Sequence, residues 1–360
     1  MKESVVKKIG ILTSGGDAPG LNAAIRAVAR TAINEYGITV LGIEDGFKGL
    51  IEGRYRELNA AELSGILTLG GTILGSSRCK PYKNPEPDLV TGLTPVESIK
   101  KNYKAMGLDA LVILGGNGTN TTGNLLSKDG LNIIALPKTI DNDLLETEIT
   151  FGFDSALQIA TEAIDRLHST AQSHNRVMVI ELMGHKAGWL ALSAGVAGGG
   201  DVVLIPEIPY DIDVISKHLR RRKALGKNFS IVVVAEGALS IEESKMDKKL
   251  LKQTRKKMNE SIGYRVASEI KQGTGIDARV TVLGYVQRGG IPTPRDRLLA
   301  TQFGVEAGHM LARGEFGTMV VYKNGKVQSV LLEKVAGRIK KVTLDNAILL
   351  SGRATGICFG

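Results

Sequence analysis

Five consecutive apolar residues run directly into a glycine-rich turn at residues 110–118, ALVILGGNG. A continuous apolar run of this length, rather than an alternating one, is typical of a β-strand that is buried on both faces of a parallel sheet. The glycines that follow allow a tight turn and leave room for a ligand to approach the backbone. The stretch therefore predicts a strand, a turn and the start of a helix in an α/β fold.

The same pattern recurs along the chain. Further apolar runs that end in turns lie at residues 8–13, 39–43, 132–136, 176–181, 201–205, 230–235 and 278–283. Amphipathic, helix-like stretches separate them, as at residues 18–35 and 96–106. Residues 318–331 predict a β-hairpin, because the central Asn-Gly pair favours a type I′ turn. The alternation predicts two Rossmann-like, doubly wound α/β lobes with ligands at the carboxyl ends of the strands.

Length and composition restrict the class of protein. A chain of 360 residues is long enough for two domains, and its 44 glycines are about 12% of the total, against a usual value of ~7%. The two cysteines, Cys79 and Cys358, cannot cross-link a fold of this size, so we expect a reducing, cytoplasmic location. No run approaches the ~18 apolar residues of a transmembrane helix, so no membrane association is expected.

The charge balance is basic. Lys and Arg exceed Asp and Glu by 46 − 37 = 9, which suits nucleic acid, a membrane surface or phosphorylated small molecules. Much of the excess lies at residues 217–223 and 245–257, two helix-like stretches that predict solvated basic helix faces. Aromatic residues make up only 4% of the chain, so there is no stacking platform for single strands. Nucleic acid is therefore not expected as a partner.

Three polar loops follow predicted strands. They read TSGGDAPG at residues 13–20, GGNGTNTTG at 115–123 and TIDND at 139–143. Each can bind an anion at the start of a helix, and each is equally compatible with an ordinary turn. The carboxylates Asp141 and Asp143 could hold Mg²⁺ or supply a general base, or could form an Asx-turn. Neither a P-loop nor a GxGxxG motif occurs.

Together the motifs resemble those of the phosphofructokinase family. In order, they are LTSGGDAPGLNAAIR (12–26), LGSSR (74–78), ILGGNGT (113–119), PKTIDND (137–143), ELMGHKAGW (181–189), AEG (235–237) and GYVQRGG (284–290). The resemblance runs from Gly10 to about Ala307, and so many motifs in one order make it specific. It implies the phosphofructokinase fold and an ATP-dependent 6-phosphofructokinase of glycolysis. Such an enzyme phosphorylates the 1-hydroxyl of fructose 6-phosphate to fructose 1,6-bisphosphate, with Mg²⁺ as cofactor.

The resemblance also implies roles for single residues. Asp141 would be the base that takes the proton from the sugar 1-hydroxyl, and the other catalytic residues would be Gly16, Arg78 and Thr139. The nucleotide would be bound by Gly16, Arg78, Cys79, Gly116, Asn117, Gly118 and Thr119. Fructose 6-phosphate would be bound by Thr139, Asp141, Asp143, Arg176, Met183, Gly184, Glu236, Arg279, Tyr285 and Arg288. The implied ligands of Mg²⁺ are Asp141 and Asn117.

The resemblance further implies an oligomer. Arg176 and Arg279 match arginines that a neighbouring subunit usually supplies, so we expect a homo-oligomer, commonly a homotetramer, with shared active sites. The expected larger, donor-binding lobe comprises residues 1–140 with about 260–305. The expected smaller, sugar-phosphate-binding lobe comprises residues 141–259 with about 306–360.

Three residues leave the activity open. Gly118 favours ATP as the donor, because the Asp of pyrophosphate-using members would meet the nucleotide α-phosphate. Lys138 is usual in the pyrophosphate-dependent enzymes, although it also occurs in one ATP-dependent branch. Asn117 replaces an Asp of the family and removes a charge that helps to hold Mg²⁺. The alternatives are therefore a pyrophosphate-dependent phosphofructokinase and a weakly active or non-catalytic sugar-phosphate-binding paralogue.

Overall fold

The computed structural model describes residues 2–258 and 260–360, and internal contacts divide the chain into two units. The first unit extends to Ser155 and resumes at Arg288–Ile339, and the second comprises Ala156–Gln287 and Lys340–Gly360. Within the described residues, none of the helices is both long and apolar enough to cross a membrane. Both cysteines are free thiols.

The described part of the chain contains eleven strands and thirteen α-helices. The strands are β1 (Lys8–Thr13), β2 (Thr39–Ile43), β3 (Tyr55–Glu57), β4 (Ala110–Gly115), β5 (Ile133–Pro137), β6 (Val177–Leu182), β7 (Val202–Leu204), β8 (Ser230–Ala235), β9 (Ala278–Val282), β10 (Thr318–Lys323) and β11 (Lys326–Leu331). The helices are α1 (Leu21–Tyr36), α2 (Phe47–Glu52), α3 (Pro95–Ala105), α4 (Asn117–Lys128), α5 (Phe153–His174), α6 (Trp189–Ala197), α7 (Ile212–Ala224), α8 (Ile241–Ser244), α9 (Lys248–Met258), α10 (Ile262–Thr274), α11 (Pro294–Arg313), α12 (Leu332–Val335) and α13 (Ala347–Ala354).

The first unit is built on a seven-stranded sheet of order β11-β10-β5-β4-β1-β2-β3. The five inner strands are parallel, and the two edge strands pair antiparallel to their neighbours. From β1 the chain first builds outward through β2 and β3, and then returns to place β4 on the other side of β1. This reversal is a topological switch point, where open α/β sheets bind their ligands at the carboxyl ends of the strands.

The inner strands of this sheet are buried on both faces, as their continuous apolar runs predict. In β4, Val112 and Leu114 pack with α1 and α11 on one face, while Leu111 and Ile113 belong to a separate cluster on the other face. All four side chains are fully buried. Because both faces need apolar side chains, the strands lack the alternation of a half-exposed sheet.

The predicted hairpin is confirmed. Strands β10 and β11 pair antiparallel through Lys323 and Lys326, and the two residues between them have positive φ: 53° at Asn324 and 73° at Gly325. A type I′ turn requires positive φ at both central residues, and asparagine and glycine adopt it most readily. The hairpin forms one edge of the first sheet, where β10 joins β5.

The second unit contains a four-stranded parallel sheet of order β7-β8-β6-β9. Apolar residues of β6 and β8, including Val179 and Val232, pack with α7 and α10 on one face of this sheet. The two predicted doubly wound lobes are therefore confirmed as two α/β units, each with a largely parallel sheet.

The expected segment bounds of the lobes need correction. We expected residues 260–305 to join the first lobe and residues 306–360 to join the second. Instead β9 pairs with β6 in the second unit, and β10 pairs with β5 in the first. The chain returns to the first sheet later than expected and leaves it again after Ile339. These pairings join segments that are distant in sequence, so no local pattern specified them.

The basic stretch at residues 245–257 forms most of α9, but one of its cations faces inward. The guanidinium of Arg255 donates hydrogen bonds to the Glu243 carboxylate, and Arg265 of α10 donates two more, each 2.7 Å long. Arg255 also donates to the carbonyl oxygen of Ala238. The side chain of Glu243 is only 5% exposed. The helix face at Arg255 is thus fixed by an ion-pair network rather than solvated.

Candidate active site

The switch point of the first sheet carries the site. Residues 13–20 follow β1, and residues 115–123 follow β4, so two of the predicted loops lie side by side at the carboxyl edge. The amide of Ser14 donates to the carbonyl oxygen of Leu114 at 3.0 Å, which ties the first loop to the end of β4. A cavity of about 290 Å³ opens between these loops.

The segment at residues 74–78 is held against the first loop. The amide of Gly15 donates to the carbonyl oxygen of Ser77 at 2.9 Å, and the Ser76 hydroxyl donates to the carbonyl oxygen of Gly15 at 2.7 Å. Ser77 in turn donates its hydroxyl to the carbonyl oxygen of Asp45. These bonds fix the backbone that precedes Arg78, and Arg78 lines the cavity.

Gly16 lies against the guanidinium of Arg288. A Cβ atom on residue 16 would lie only 2.6 Å from Nη1 of Arg288, so a larger residue would displace the guanidinium. The same Nη1 donates to the carbonyl oxygen of Asp17 at 2.9 Å. Arg288, predicted as a sugar-phosphate ligand, therefore lies beside the first loop in the cavity wall.

The third loop follows β5, the strand next to β4. The amide of Lys138 donates to the carbonyl oxygen of Gly115, and the Thr150 hydroxyl donates to that of Thr139 at 2.7 Å. The hydroxyl of Thr139 accepts the amide of Asp141 at 3.1 Å. The carboxylates of Asp141 and Asp143 are thereby presented to the same cavity.

Lys138 is a buried cation at the centre of the three loops. Its ammonium donates to the carbonyl oxygen of Gly16. Burial foremost, together with the positive charge of Arg288, lowers the pKa of Lys138 from 10.5 to about 8. An anionic ligand in the cavity would favour the charged form and raise this pKa again.

Gly118 has no structural reason to be glycine. It lies in the exposed first turn of α4, and a Cβ atom there would have no neighbour within 4 Å among the described residues. The N–H groups of this first turn have no partner within the helix, and with the helix dipole they favour an anion. Gly118 therefore leaves space at the point where donor phosphates would approach the backbone.

The cavity brings together all nine residues predicted for catalysis and nucleotide binding, together with two, Asp143 and Arg288, that were predicted only for the sugar phosphate. Those that line it are Gly16, Arg78, Cys79, Gly116, Asn117, Gly118, Thr119, Thr139, Asp141, Asp143 and Arg288. Six further residues line it. Ser14, Gly15 and Thr122 belong to the predicted anion-binding loops and Lys138 bears on the choice of donor, whereas Phe47 and Lys80 were not predicted from the sequence. Phe47 follows β2, and this position after a strand could have pointed to it. Lys80, by contrast, reaches the cavity only through tertiary packing.

The carboxylates fit a metal that arrives with a phosphate ligand. Among residues 2–258 and 260–360, no group of three or more His, Cys, Asp and Glu side chains could hold a metal ion by itself. Mg²⁺ typically uses one or two carboxylates and completes its shell with substrate phosphates and water. Asp141 and Asp143 supply two carboxylates in the cavity wall.

In the second unit, three predicted sugar-phosphate residues lie at the carboxyl edge of the sheet. Met183 and Gly184 follow β6, and Glu236 follows β8, the strand that pairs with β6. The amide of Glu236 donates to the carbonyl oxygen of Leu182 at 2.8 Å. Gly184 has a φ of 133°, which only glycine adopts readily.

The two predicted arginines of this unit lie at the opposite edge. Arg176 immediately precedes β6, and Arg279 is the second residue of β9. Both bind Asp277, from Arg176 Nε at 2.9 Å and Arg279 Nη1 at 2.7 Å. The six residues of β6 separate this trio from Met183, a distance of about 20 Å at ~3.3 Å per residue. Within this unit, the structure does not bring the two groups together.

Tyr285 lies in the short helical segment that follows β9. Its side chain is 73% exposed. A separate cavity of about 220 Å³ in the second unit is lined by Glu181, Glu236, Arg255, Met258, Glu260, Ser261, Ile262 and Arg265. Glu236 therefore faces a space that the basic helix α9 helps to enclose.

Comparison with known proteins identifies the family. The phosphofructokinase family model matches residues 8–311. The ATP-dependent 6-phosphofructokinase of Spirochaeta thermophila is 58% identical and covers 100% of this chain and 99% of its own. ATP-dependent 6-phosphofructokinase 3 of Bacteroides thetaiotaomicron is 52% identical, over 98% of this chain and 100% of its own.

Solved structures agree with this result. Phosphofructokinase of Pichia pastoris in the T-state superposes with a TM-score of 0.79 and 33% identity, over 93% of this chain and 36% of that longer chain. A pyrophosphate-dependent phosphofructokinase from Marinobacter aquaeolei has the same TM-score at 21% identity, over 98% of this chain and 88% of its own, which supports the fold alone. The switch-point loops, the ordered motifs and these comparisons show that the chain belongs to the phosphofructokinase family.

Proposed function

We propose that this protein is an ATP-dependent 6-phosphofructokinase, a phosphotransferase that converts fructose 6-phosphate to fructose 1,6-bisphosphate in the cytoplasm. Relatives at 48–58% identity over nearly the whole chain carry that name. The observation that carries the proposal is the cavity at the switch point. It combines a possible base, several cations and an open helix N-terminus in one wall.

Phosphoryl transfer requires alignment, a base for the attacking hydroxyl and positive charge around the transferred group. In this proposal Asp141 accepts the proton of the sugar 1-hydroxyl, and Thr139 positions the Asp141 backbone. Arg78 and Lys138 balance the negative charge of the phosphates. Mg²⁺, bound with the donor and held by Asp141 and Asp143, would neutralise further phosphate charge.

The remaining site residues bind the sugar phosphate in our proposal. Arg288 in the first unit and Met183, Gly184 and Glu236 in the second are the ligands supplied in cis. Arg176 and Arg279 serve the active site of a neighbouring subunit, and their position at the opposite edge of the second sheet supports this assignment. The enzyme is then a homo-oligomer, and we favour a tetramer. The first unit would bind the donor and the second the sugar phosphate.

Pyrophosphate as the donor is the second candidate. Lys138 supports it, because a buried lysine beside the phosphate loop could replace charge contacts that a nucleotide would otherwise make. Gly118 supports ATP, because the space above it would accommodate an additional phosphate. The steric argument is the stronger of the two, since a Cβ atom at residue 118 would meet no neighbour within 4 Å among the described residues, so the fold itself does not require glycine there.

Turnover of fructose 6-phosphate with Mg²⁺ and either ATP or pyrophosphate tests the proposal. We expect activity with ATP alone. Gly118→Asp should raise KM for ATP by about 10-fold or more while the melting temperature stays unchanged, and Gly118→Ala, which adds no charge, should have a smaller effect. Activity with pyrophosphate alone would refute the donor assignment. Inactivity with both donors would support the non-catalytic paralogue.

A further inference from the structure

The first turn of α4 is linked to a turn near the end of the first unit. Asn117 and Thr121 lie four residues apart, so they share one face of the helix. The side-chain amide of Asn117 donates to the carbonyl oxygen of Arg338, and the amide of Gly337 donates to the Thr121 hydroxyl at 3.1 Å. That hydroxyl donates in turn to the carbonyl oxygen of Asn117 at 2.9 Å. The adjacent amide and carbonyl of one turn are thus bound by two side chains.

The turn itself, residues 336–338, is firmly supported on its other side. It follows α12, whose Leu332 and Val335 are fully buried in the core of the first unit. The amide of Arg338 donates to the carbonyl oxygen of Val335 at 3.1 Å. Gly337 has a φ of 75°, a conformation that favours glycine. The position of the 336–338 turn is therefore fixed by the packing of α12 and by this backbone hydrogen bond.

The point of contact lies at the wall of the donor cavity. Asn117 lines this cavity together with Gly118 and Thr119, the next two residues of α4. We propose that Asn117 and Thr121 are positioning residues that hold the 336–338 turn beside the donor site. In this role the Asn117 amide serves the protein backbone rather than a metal ion. The proposal rests on the proposed function only in taking this cavity as the donor site.

The chemistry of the contact requires an asparagine, rather than an aspartate, at residue 117. The bond to the Arg338 carbonyl requires a donor, and a carboxylate has none at neutral pH. An aspartate would place its charge against a carbonyl oxygen and would repel the turn. The backbone of Arg338 would then lose its fixed place next to the cavity. Its exposed side chain, a cation of a kind suited to phosphate, would lose this backbone anchor as well.

Hydrogen exchange of the 336–338 amides tests the link without reference to activity. We expect Asn117→Asp and Thr121→Val to accelerate exchange at Gly337 about 10-fold or more, whereas Thr121→Ser, which keeps the hydroxyl, should leave it unchanged. If Asn117→Asp fails to fold, the pair of Thr121 variants still decides the result. Unchanged exchange in both Asn117→Asp and Thr121→Val would overturn the proposal.

Steady-state kinetics test whether the link serves the donor. Asn117→Asp and Thr121→Val each remove one or two neutral hydrogen bonds. Each should raise KM for the phosphoryl donor about 3- to 10-fold and leave KM for fructose 6-phosphate within twofold of that of the parent enzyme. Faster exchange without a change in donor KM would overturn the positioning role. If Asn117→Asp instead lowers the Mg²⁺ concentration needed for half-maximal activity and leaves exchange unaltered, Asn117 is a metal ligand and the proposal is wrong. A parent enzyme inactive with either donor would refute the proposed function, while the exchange result would still stand.

Discussion

The two units differ in how they arrange the residues that were predicted to bind substrates. In the first unit, residues from six separate segments converge on one cavity at the carboxyl edge of a sheet. In the second, the predicted sugar-phosphate residues divide between the two edges of a sheet, with Glu236 at one edge and the Arg176–Asp277–Arg279 trio at the other. The first unit therefore gathers its predicted residues at one cavity, whereas the second leaves its predicted residues at two opposite edges of its sheet.

The difference follows from where the side chains lie along their strands. Residues that follow parallel strands come together automatically, because all of those strands end at the same edge. Residues at the start of a strand, such as Arg176, lie at the amino edge, away from these loops. In our proposal a second copy of the chain receives them.

Asp141→Asn tests whether the first unit contains the base. Loss of this carboxylate should lower kcat by about 10²- to 10⁴-fold, because general-base catalysis contributes about that much. Initial rates at saturating donor and sugar phosphate measure the effect. Asp345→Asn, at an exposed position, is the matched control and should retain full activity. If kcat of Asp141→Asn falls by less than about 10-fold, Asp141 is not the base.

Arg279→Ala tests whether the amino edge of the second sheet serves another copy. We expect KM for fructose 6-phosphate to rise about 10- to 100-fold, because a charged hydrogen bond to the substrate is lost, and we expect KM for the donor to stay unchanged. Mixed oligomers of Arg279→Ala and Asp141→Asn subunits should regain activity, because some sites then combine an intact base with an intact arginine. If mixing restores nothing, both residues act within one chain.

Lys138 makes donor use depend on pH in the first unit. Since its pKa is about 8 in the free protein, kcat/KM for the donor should fall up to about 10-fold per pH unit above pH 8 as the cation is lost. Lys138→Met should lower kcat/KM at pH 7 and flatten the profile. A lowered pKa also means that the unfolded chain retains this proton longer, so stability should rise between about pH 8 and 10.5. A profile that Lys138→Met leaves unchanged would refute the assignment.

Glu243 in the second unit should affect stability more than donor chemistry. Burial would raise its pKa, but the hydrogen bonds and charges of Arg265 and Arg255 outweigh burial and lower it to about 2. Its ion pairs therefore stabilise the protein above about pH 4.5, and this stabilisation is lost as the pH falls towards 2. Glu243→Gln should cost about 3 kcal/mol in unfolding free energy, measured by urea denaturation, with donor KM unchanged. The exposed Glu242→Gln is the control.

Much of the fold could be predicted from local patterns. The inner strands of both sheets are largely continuous apolar runs, and the Asn324–Gly325 pair specifies the turn of the β10–β11 hairpin. The short edge strand β3 was not predicted, because its sequence Tyr-Arg-Glu is polar and mostly exposed. The segment bounds of the units were also missed, since pairing of β10 with β5 depends on packing between segments that are about 180 residues apart.

The cavity loops of the first unit could be predicted because the same feature that brings them together, their position directly after parallel strands, is visible in the sequence. These loops follow β1, β4 and β5 directly, so position after a strand points to them. Lys80 and the 336–338 turn were not predictable, because tertiary packing alone places them near the cavity. The role of Arg255 was obscured by its basic surroundings, in which six other cations of α9 and its flanks gave the impression of a uniform solvated face.

The interrupted first unit has a consequence for how the protein is made. Its sheet needs β10 and β11, which leave the ribosome only after the whole of residues 156–287 has been synthesised. The strand β5 must wait with an unpaired edge during that interval, and such edges invite aggregation. Most of the second unit is continuous and can fold in the meantime. An N-terminal fragment that ends before residue 318 should therefore be insoluble or depend on chaperones, although it contains every phosphate loop of the donor cavity.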